Sequence, residues 1–231
     1  MEASNPLVGK NILSPIQKSF ISLFSRLADN NQFYLTGGTA LAEYYLGHRL
    51  SFDLDFFTGV DGLVMPVSYQ IEKMGKDYDL DISVIRRFNS YSEFLITKGA
   101  DSLKIDLALD SPFRFKPPIL SVDGIMVNDF QDLCVDKLLA YFGRAEPRDA
   151  VDLYFILQHG NAEELLQQAS QKDTGFSLYW FAIALNRCAK FPDELESWPV
   201  KMLVPFDPPK VKRVLLNWAQ EIMGGLTPSS G

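Results

Sequence analysis

Asp53 and Asp55 stand two residues apart in the run Ser51-Phe52-Asp53-Leu54-Asp55-Phe56-Phe57, and this alternation limits the fold more than any other segment. Residues two apart on a strand share a face. The spacing therefore predicts two carboxylates side by side, with Phe52, Leu54 and Phe56 turned the other way into a core. Adjacent carboxylates repel. A hard divalent cation such as Mg²⁺, which prefers oxygen ligands, relieves that repulsion. Upstream, Phe33-Tyr34-Leu35-Thr36-Gly37-Gly38-Thr39 reads as a strand, a double glycine and a helix start. Bare backbone N–H groups at a helix start suit phosphate. A cation site beside a phosphate cradle points to nucleotide chemistry.

A third acid is available for two-ion chemistry. In Lys104-Ile105-Asp106-Leu107-Ala108, the residues Ile105, Leu107 and Leu109 alternate inward, so Lys104, Asp106 and Ala108 share the other face. If this strand lies beside the Asp53 strand, the three acids converge. An Asp on the open face of a strand is equally well explained as solvated. Asp79-Leu80-Asp81 repeats the Asp-Leu-Asp letters without an upstream glycine pair, and reads as an ordinary half-exposed strand. Thr39 is placed to act as a cap or a phosphate ligand. Arg49 and Ser51 precede the carboxylate strand and could touch phosphate oxygens, although Arg49 is also explained as a surface charge.

At 231 residues the chain holds one large or two small domains. With 47% apolar and 13% aromatic residues it can bury a substantial core. A formal charge of -7 argues against a globally basic nucleic-acid binder but leaves room for a local basic groove. Cys134 and Cys188 form no Cys-x-x-Cys pair, and His48 and His159 are not spaced as metal ligands. No signal-peptide pattern is visible, and no apolar stretch approaches the roughly 20 residues a membrane helix needs. The expectation is a soluble cytoplasmic protein with no membrane contact.

The element pattern divides the chain into a mixed α/β half, 1–128, and a helical half, 129–231. Residues 1–12 read as irregular, and Ser14-Pro15 opens a helix. A short helix runs to Gly47, a good C-terminal stop. A helix over 63–76 precedes three strand runs, 80–87, 93–97 and 102–109, expected as a meander. Asp123-Gly124 marks a hairpin turn. Helices are expected over 132–142, 148–158, 163–171, 177–190 and 211–223, with a Pro-rich connector at 192–209 and a flexible tail at 224–231.

Gly37-Gly38, a helix, Asp53-x-Asp55 and a later Asp106 together resemble the DNA polymerase β-like nucleotidyltransferase superfamily. The string from Leu35 through His48-Arg49 to Phe57 is similar to one branch, the AbiEii/AbiGii toxin-like nucleotidyltransferases. A second block, Asp132 to Ala140 with Lys137, then Arg144, Pro147-Arg148-Asp149 and Asp152, resembles the same branch. The resemblance spans about residues 33 to 157 and leaves 160–231 unmatched.

That resemblance implies an α/β (α+β) nucleotidyltransferase fold, a mixed β-sheet flanked by helices and followed by a C-terminal helical region. It implies that Asp53 and Asp55 coordinate Mg²⁺ bound to a nucleoside triphosphate, with Asp106 as third acid positioning or deprotonating an acceptor hydroxyl. Gly37 and Gly38 would hold the triphosphate, Lys137 would reach it, and Asp149 would belong to the last motif. The acceptor would be RNA, tRNA or protein, and a cognate antitoxin is an expected partner. Read from the residues alone, Lys137 is also a helix lysine that snorkels to solvent. Asp149 and Asp152 equally suit a helix N-terminus, with Arg148 placed to pair with either. Lys210, Lys212 and Arg213 form a basic cluster that would aid RNA binding or simply be solvated. A binding module without turnover and an aminoglycoside-type small-molecule nucleotidyltransferase are the alternatives.

Overall fold

A computed structural model describes residues 5–226. The chain forms two compact units that divide between Phe130 and Gln131.

The first unit opens with α1 (Pro15–Phe24). Ser14 caps it, accepting a bond from the Gln17 backbone N–H while the Gln17 side chain accepts from the Ser14 N–H. This reciprocal box satisfies donors that a helix start leaves open. The chain continues through β1 (Tyr34–Thr36) into α2 (Gly37–Ala40), which passes directly into a π-helical turn at Leu41–Leu46. Gly47, with φ 63°, ends it in the left-handed conformation, and its N–H bonds the Ala42 carbonyl. Next come the two-residue β2 (Arg49–Leu50), then β3 (Leu54–Thr58), α3 (Val64–Gly75), β4 (Asp81–Arg87), β5 (Tyr91–Lys98), β6 (Asp101–Leu109), β7 (Ile119–Leu120) and β8 (Met126–Val127).

Seven of these strands form a mixed sheet in the order β4-β5-β6-β3-β1-β8-β7. The expected meander is present as antiparallel β4–β5–β6, and the expected hairpin as antiparallel β7–β8. Two pairings are parallel, β3 with β6 and β1 with β8, and β1 lies antiparallel to β3.

One face of the sheet is apolar. Leu35, Leu54, Phe56, Phe94, Ile105 and Leu107 are fully buried there. Phe56 stacks on Phe24 at 4.0 Å and lies 6.1 Å from Phe20, so the aromatic side of α1 covers the centre of the sheet. Val64, Val67 and Ile71 give α3 a second buried stripe. Burying such side chains contributes roughly 1.5–3 kcal/mol each.

Phe52 departs from the expected pattern. It is 61% exposed, because the regular strand begins only at Leu54 and strict alternation does not extend back to residue 52. Asp79 differs as well. It adopts a left-handed φ of 55° after the turn Lys76–Tyr78, and only Asp81 belongs to β4.

The second unit is helical: α4 (Phe130–Arg144, which starts at the boundary), α5 (Pro147–Ile156), α6 (Ala162–Lys172), α7 (Leu178–Asn186) and α8 (Pro208–Leu226). The Pro-rich connector carries a 3₁₀ turn at Leu195–Ser197 and the two-residue β9 (Lys201–Met202). Phe181 meets Trp218 edge-on at 5.2 Å, tying α7 to α8. Gly224–Leu226 continue α8, and the remainder of the expected flexible tail lies outside the described residues, as do residues 1–4 of the irregular N-terminal segment. Among the described residues no helix is long and apolar enough to cross a membrane.

Candidate active site

Sheet register builds the site. Thr36 is opposite Asp55, Asp55 opposite Asp106, and Asp106 opposite Glu93. Register partners on neighbouring strands share a face. The polar face therefore carries one row across four strands: Thr36, Asp55, Asp106, Glu93. A second row runs Tyr34, Phe57, Ala108, Tyr91. Asp53 lies one residue before Leu54, the first residue of the regular strand, whose partner is Ile105.

Gly37 and Gly38 leave the end of β1 against this row. Gly37 has φ 70°, a conformation that favours glycine, and a Cβ there would overlap Asp55 Oδ2. A Cβ on Gly38 would stand 2.7 Å from an Arg49 terminal nitrogen and 2.8 Å from Ser51 Oγ. The glycine pair is thus wedged between the Asp55 carboxylate on one side and Arg49 with Ser51 on the other. Thr39, buried, donates its hydroxyl to the Asp53 carbonyl oxygen and pins the carboxylate segment to α2. Arg49 is buried and donates to its neighbour's carbonyl, Leu50 O, at 3.0 Å, so it is not a plain surface charge.

Two side chains grip Asp106. Tyr91 donates its hydroxyl to Oδ1 at 2.9 Å, and Lys104 donates to Oδ2 at 2.9 Å. Lys104 also lies 3.6 Å from Glu93 Oε1. Burial, then the bond to Asp106, pushes the Tyr91 phenol up to about 12. Lys104 is raised above its usual value: burial opposes the charge, and the bond and charge of Asp106 outweigh it. The carboxylates of Asp53, Asp55 and Asp106 are hard oxygen donors, the right chemistry for a divalent cation. Among the described residues, however, no group of three His, Cys, Asp or Glu is close enough to hold a metal ion.

A polar network that sequence reading missed fixes the same end of the sheet. Arg114 lies 3.6 Å over the Tyr34 ring and donates to Asp110 and to Asn128 Oδ1, at 3.2 and 2.7 Å. Tyr34 donates to Asp110 at 2.6 Å, and Asn128 donates to Thr36 Oγ1 at 3.1 Å. Thr36 immediately precedes the glycine pair. The sequence signal was weak, because Arg114 sits in the Pro112–Pro118 break with no periodicity to mark it.

Lys137 and Asp149 lie in the second unit. Lys137 is buried and paired with buried Asp152 at 2.7 Å, so it does not snorkel to solvent. Asp149 is held in a fork by Arg144, through Nε at 2.6 Å and a terminal nitrogen at 2.7 Å. Arg148 instead pairs with Glu146 at 2.9 Å. Its partner is the acid two residues back, not either of the expected aspartates. In the C-terminal basic cluster, Lys212 is engaged by Asp193 at 2.7 Å and the Phe191 carbonyl at 2.8 Å.

Solved structures share this fold. JHP933 from Helicobacter pylori is 23% identical with a TM-score of 0.58, over 93% of this chain and 94% of its own. A second H. pylori structure is 21% identical with a TM-score of 0.60, over 93% and 97%. MenT4, a nucleotidyltransferase toxin from Mycobacterium tuberculosis, is 14% identical with a TM-score of 0.59, over 92% and 82%. No curated protein sequence matches the chain. The family model for the nucleotidyl transferase AbiEii toxin of type IV toxin–antitoxin systems matches residues 20–177, more than half of the chain. Membership implies a nucleoside triphosphate substrate, a divalent-cation requirement and an antitoxin counterpart. The chain belongs to the AbiEii nucleotidyltransferase toxin family and is a nucleotidyltransferase.

Proposed function

We propose that this protein transfers a nucleotide from a nucleoside triphosphate to an acceptor hydroxyl, on RNA or tRNA or on protein, with Mg²⁺, as the cytoplasmic toxin of a toxin–antitoxin pair. The observation that carries the reading is the row Asp55–Asp106 with Gly37 set against Asp55. In this reading residues 1–128 are the catalytic domain and 129–231 a helical domain supporting it.

Asp53 and Asp55 would hold the cation, which when bound neutralises triphosphate charge as the leaving group departs. The N–H groups of the Gly37–Gly38 turn would bind phosphate oxygens, with Thr39, Arg49 and Ser51 beside them. The acceptor oxygen bonds to the α-phosphorus, the bond to the bridging α–β oxygen breaks, and pyrophosphate leaves. Asp106 orients the acceptor hydroxyl and takes its proton. Lys137 would contact the triphosphate, and Asp149 would hold the last motif in shape through Arg144. Catalysis of this kind is mostly positioning and charge neutralisation.

The test is transfer from labelled triphosphates to an RNA pool and to protein. Asp53→Ala should abolish transfer and leave the folded spectrum unchanged. Equal transfer by wild type and variant would remove the claim.

A second reading has one observation in its favour. Asp106 is already gripped by Lys104 and Tyr91, as suits a nucleotide-binding module without turnover. Calorimetry separates the two: tight cation-dependent triphosphate binding with no transfer to any acceptor favours the module.

A further inference from the structure

The carboxylate row contains its own cation. Asp55, Asp106 and Glu93 are consecutive register partners on β3, β6 and β5, so three acids occupy one line of the sheet. Like charges in such a line repel one another. Lys104 lies beside this line, bonded to Asp106 Oδ2 at 2.9 Å and 3.6 Å from Glu93. The remaining oxygen of Asp106 accepts from Tyr91. The Lys104 side chain is 41% exposed and that of Asp106 only 15%, so the ammonium sits at the wet mouth of the row, on a flexible stem that can turn away. Asp106, which it holds, is the register partner of Asp55, where cation chemistry is expected.

We propose that Lys104 is a resident counter-cation of the site: it neutralises and orients Asp106 before a divalent ion is bound at Asp53 and Asp55, and its positive charge opposes that ion. This rests on the cation-dependent transferase reading above. Lys104 is thus a positioning residue that sets the cation affinity. Tyr91, uncharged, keeps Asp106 aimed when Lys104 swings out.

The test is calorimetric titration of the full chain with Mn²⁺ alone and Mg²⁺ alone, alongside thermal unfolding in chelator and in excess cation. Lys104→Met should bind the ion about three- to fivefold tighter, the effect of removing a part-exposed ion pair. It should also melt lower than wild type in chelator and gain more on cation addition, since a ligand that binds the folded form stabilises by its affinity. Lys104→Gln, which keeps a donor for Asp106 and loses the charge, should shift in the same direction. Lys98→Met makes the same charge change at the turn end of β5, opposite Asp101, and should bind as wild type does. Wild-type cation binding with no tightening in the Lys104 variants, or equal tightening in Lys98→Met, overturns this inference alone. No cation binding by wild type or any variant overturns it together with the transferase reading.

Discussion

Lys137 Nζ lies 2.7 Å from Asp152 Oδ2, and both side chains are buried, one on α4 and one on α5. Two charges withdrawn from water stabilise a fold only as a pair, and either alone is costly. Asp152→Ala should therefore lose about 3–5 kcal/mol in denaturant unfolding. The double variant Lys137→Met, Asp152→Leu should recover most of that loss. If Lys137 contacts the triphosphate as proposed, the double variant stays folded yet does not recover nucleotide transfer. A single Asp152→Ala that unfolds like wild type would contradict the buried pair.

The two glycines separate by backbone conformation. Gly37→Ala meets both a positive φ and the Asp55 carboxylate, and should cost about 1–2 kcal/mol with loss of triphosphate binding. Gly38→Ala meets only the ends of Arg49 and Ser51, which can move aside. It should weaken triphosphate binding with little change in stability. Parallel unfolding and nucleotide-binding curves for the two variants check this ordering.

Arg114→Ala removes a cation–π contact with Tyr34 and the bonds to Asp110 and Asn128, and loosens Asn128 against Thr36. About 1–2 kcal/mol of stability should go. Because Thr36 leads into the phosphate cradle, KM for the triphosphate should rise. Arg114→Lys should restore charge but not the stacked, forked geometry, and so rescue poorly. An unchanged KM in Arg114→Ala would detach this network from the site.

Cys188 is fully buried, and burial pushes its thiol from its usual 9 up to about 11, against a smaller lowering by Lys212. Between these values the unfolded chain has released the proton and the folded chain retains it. Folded protein binds more protons there, so stability is full below about pH 9 and falls as pH rises toward about 11. Cys188→Ala should flatten that part of the stability profile. Thiol reagents should label Cys188 only on unfolding, measured by mass spectrometry against denaturant.

Much of the architecture was legible because its signals are local. A Ser-Pro start with a helical apolar stripe specifies α1, Gly47 stops the helical turn, and Asp123-Gly124 makes the β7–β8 hairpin. These depend on cap chemistry, backbone freedom and side-chain period, all readable within a few residues. Asp53, Asp55 and the glycine pair stood out for the same reason. The reading failed where period alone was extended too far, as at Phe52, or where a pairing choice was open, as with Arg148.

By itself, then, the sequence determined which segments become strands and helices, and which strand face carries acids. Only the tertiary structure decided that β6 lies parallel to β3 with Asp106 opposite Asp55, that Tyr91 and Lys104 grip that acid, and that Arg114 reaches Tyr34 and Asn128. The physical reason is range. Propensity and alternation act between near neighbours, whereas register between strands about fifty residues apart is set by burying one whole face of the sheet at once.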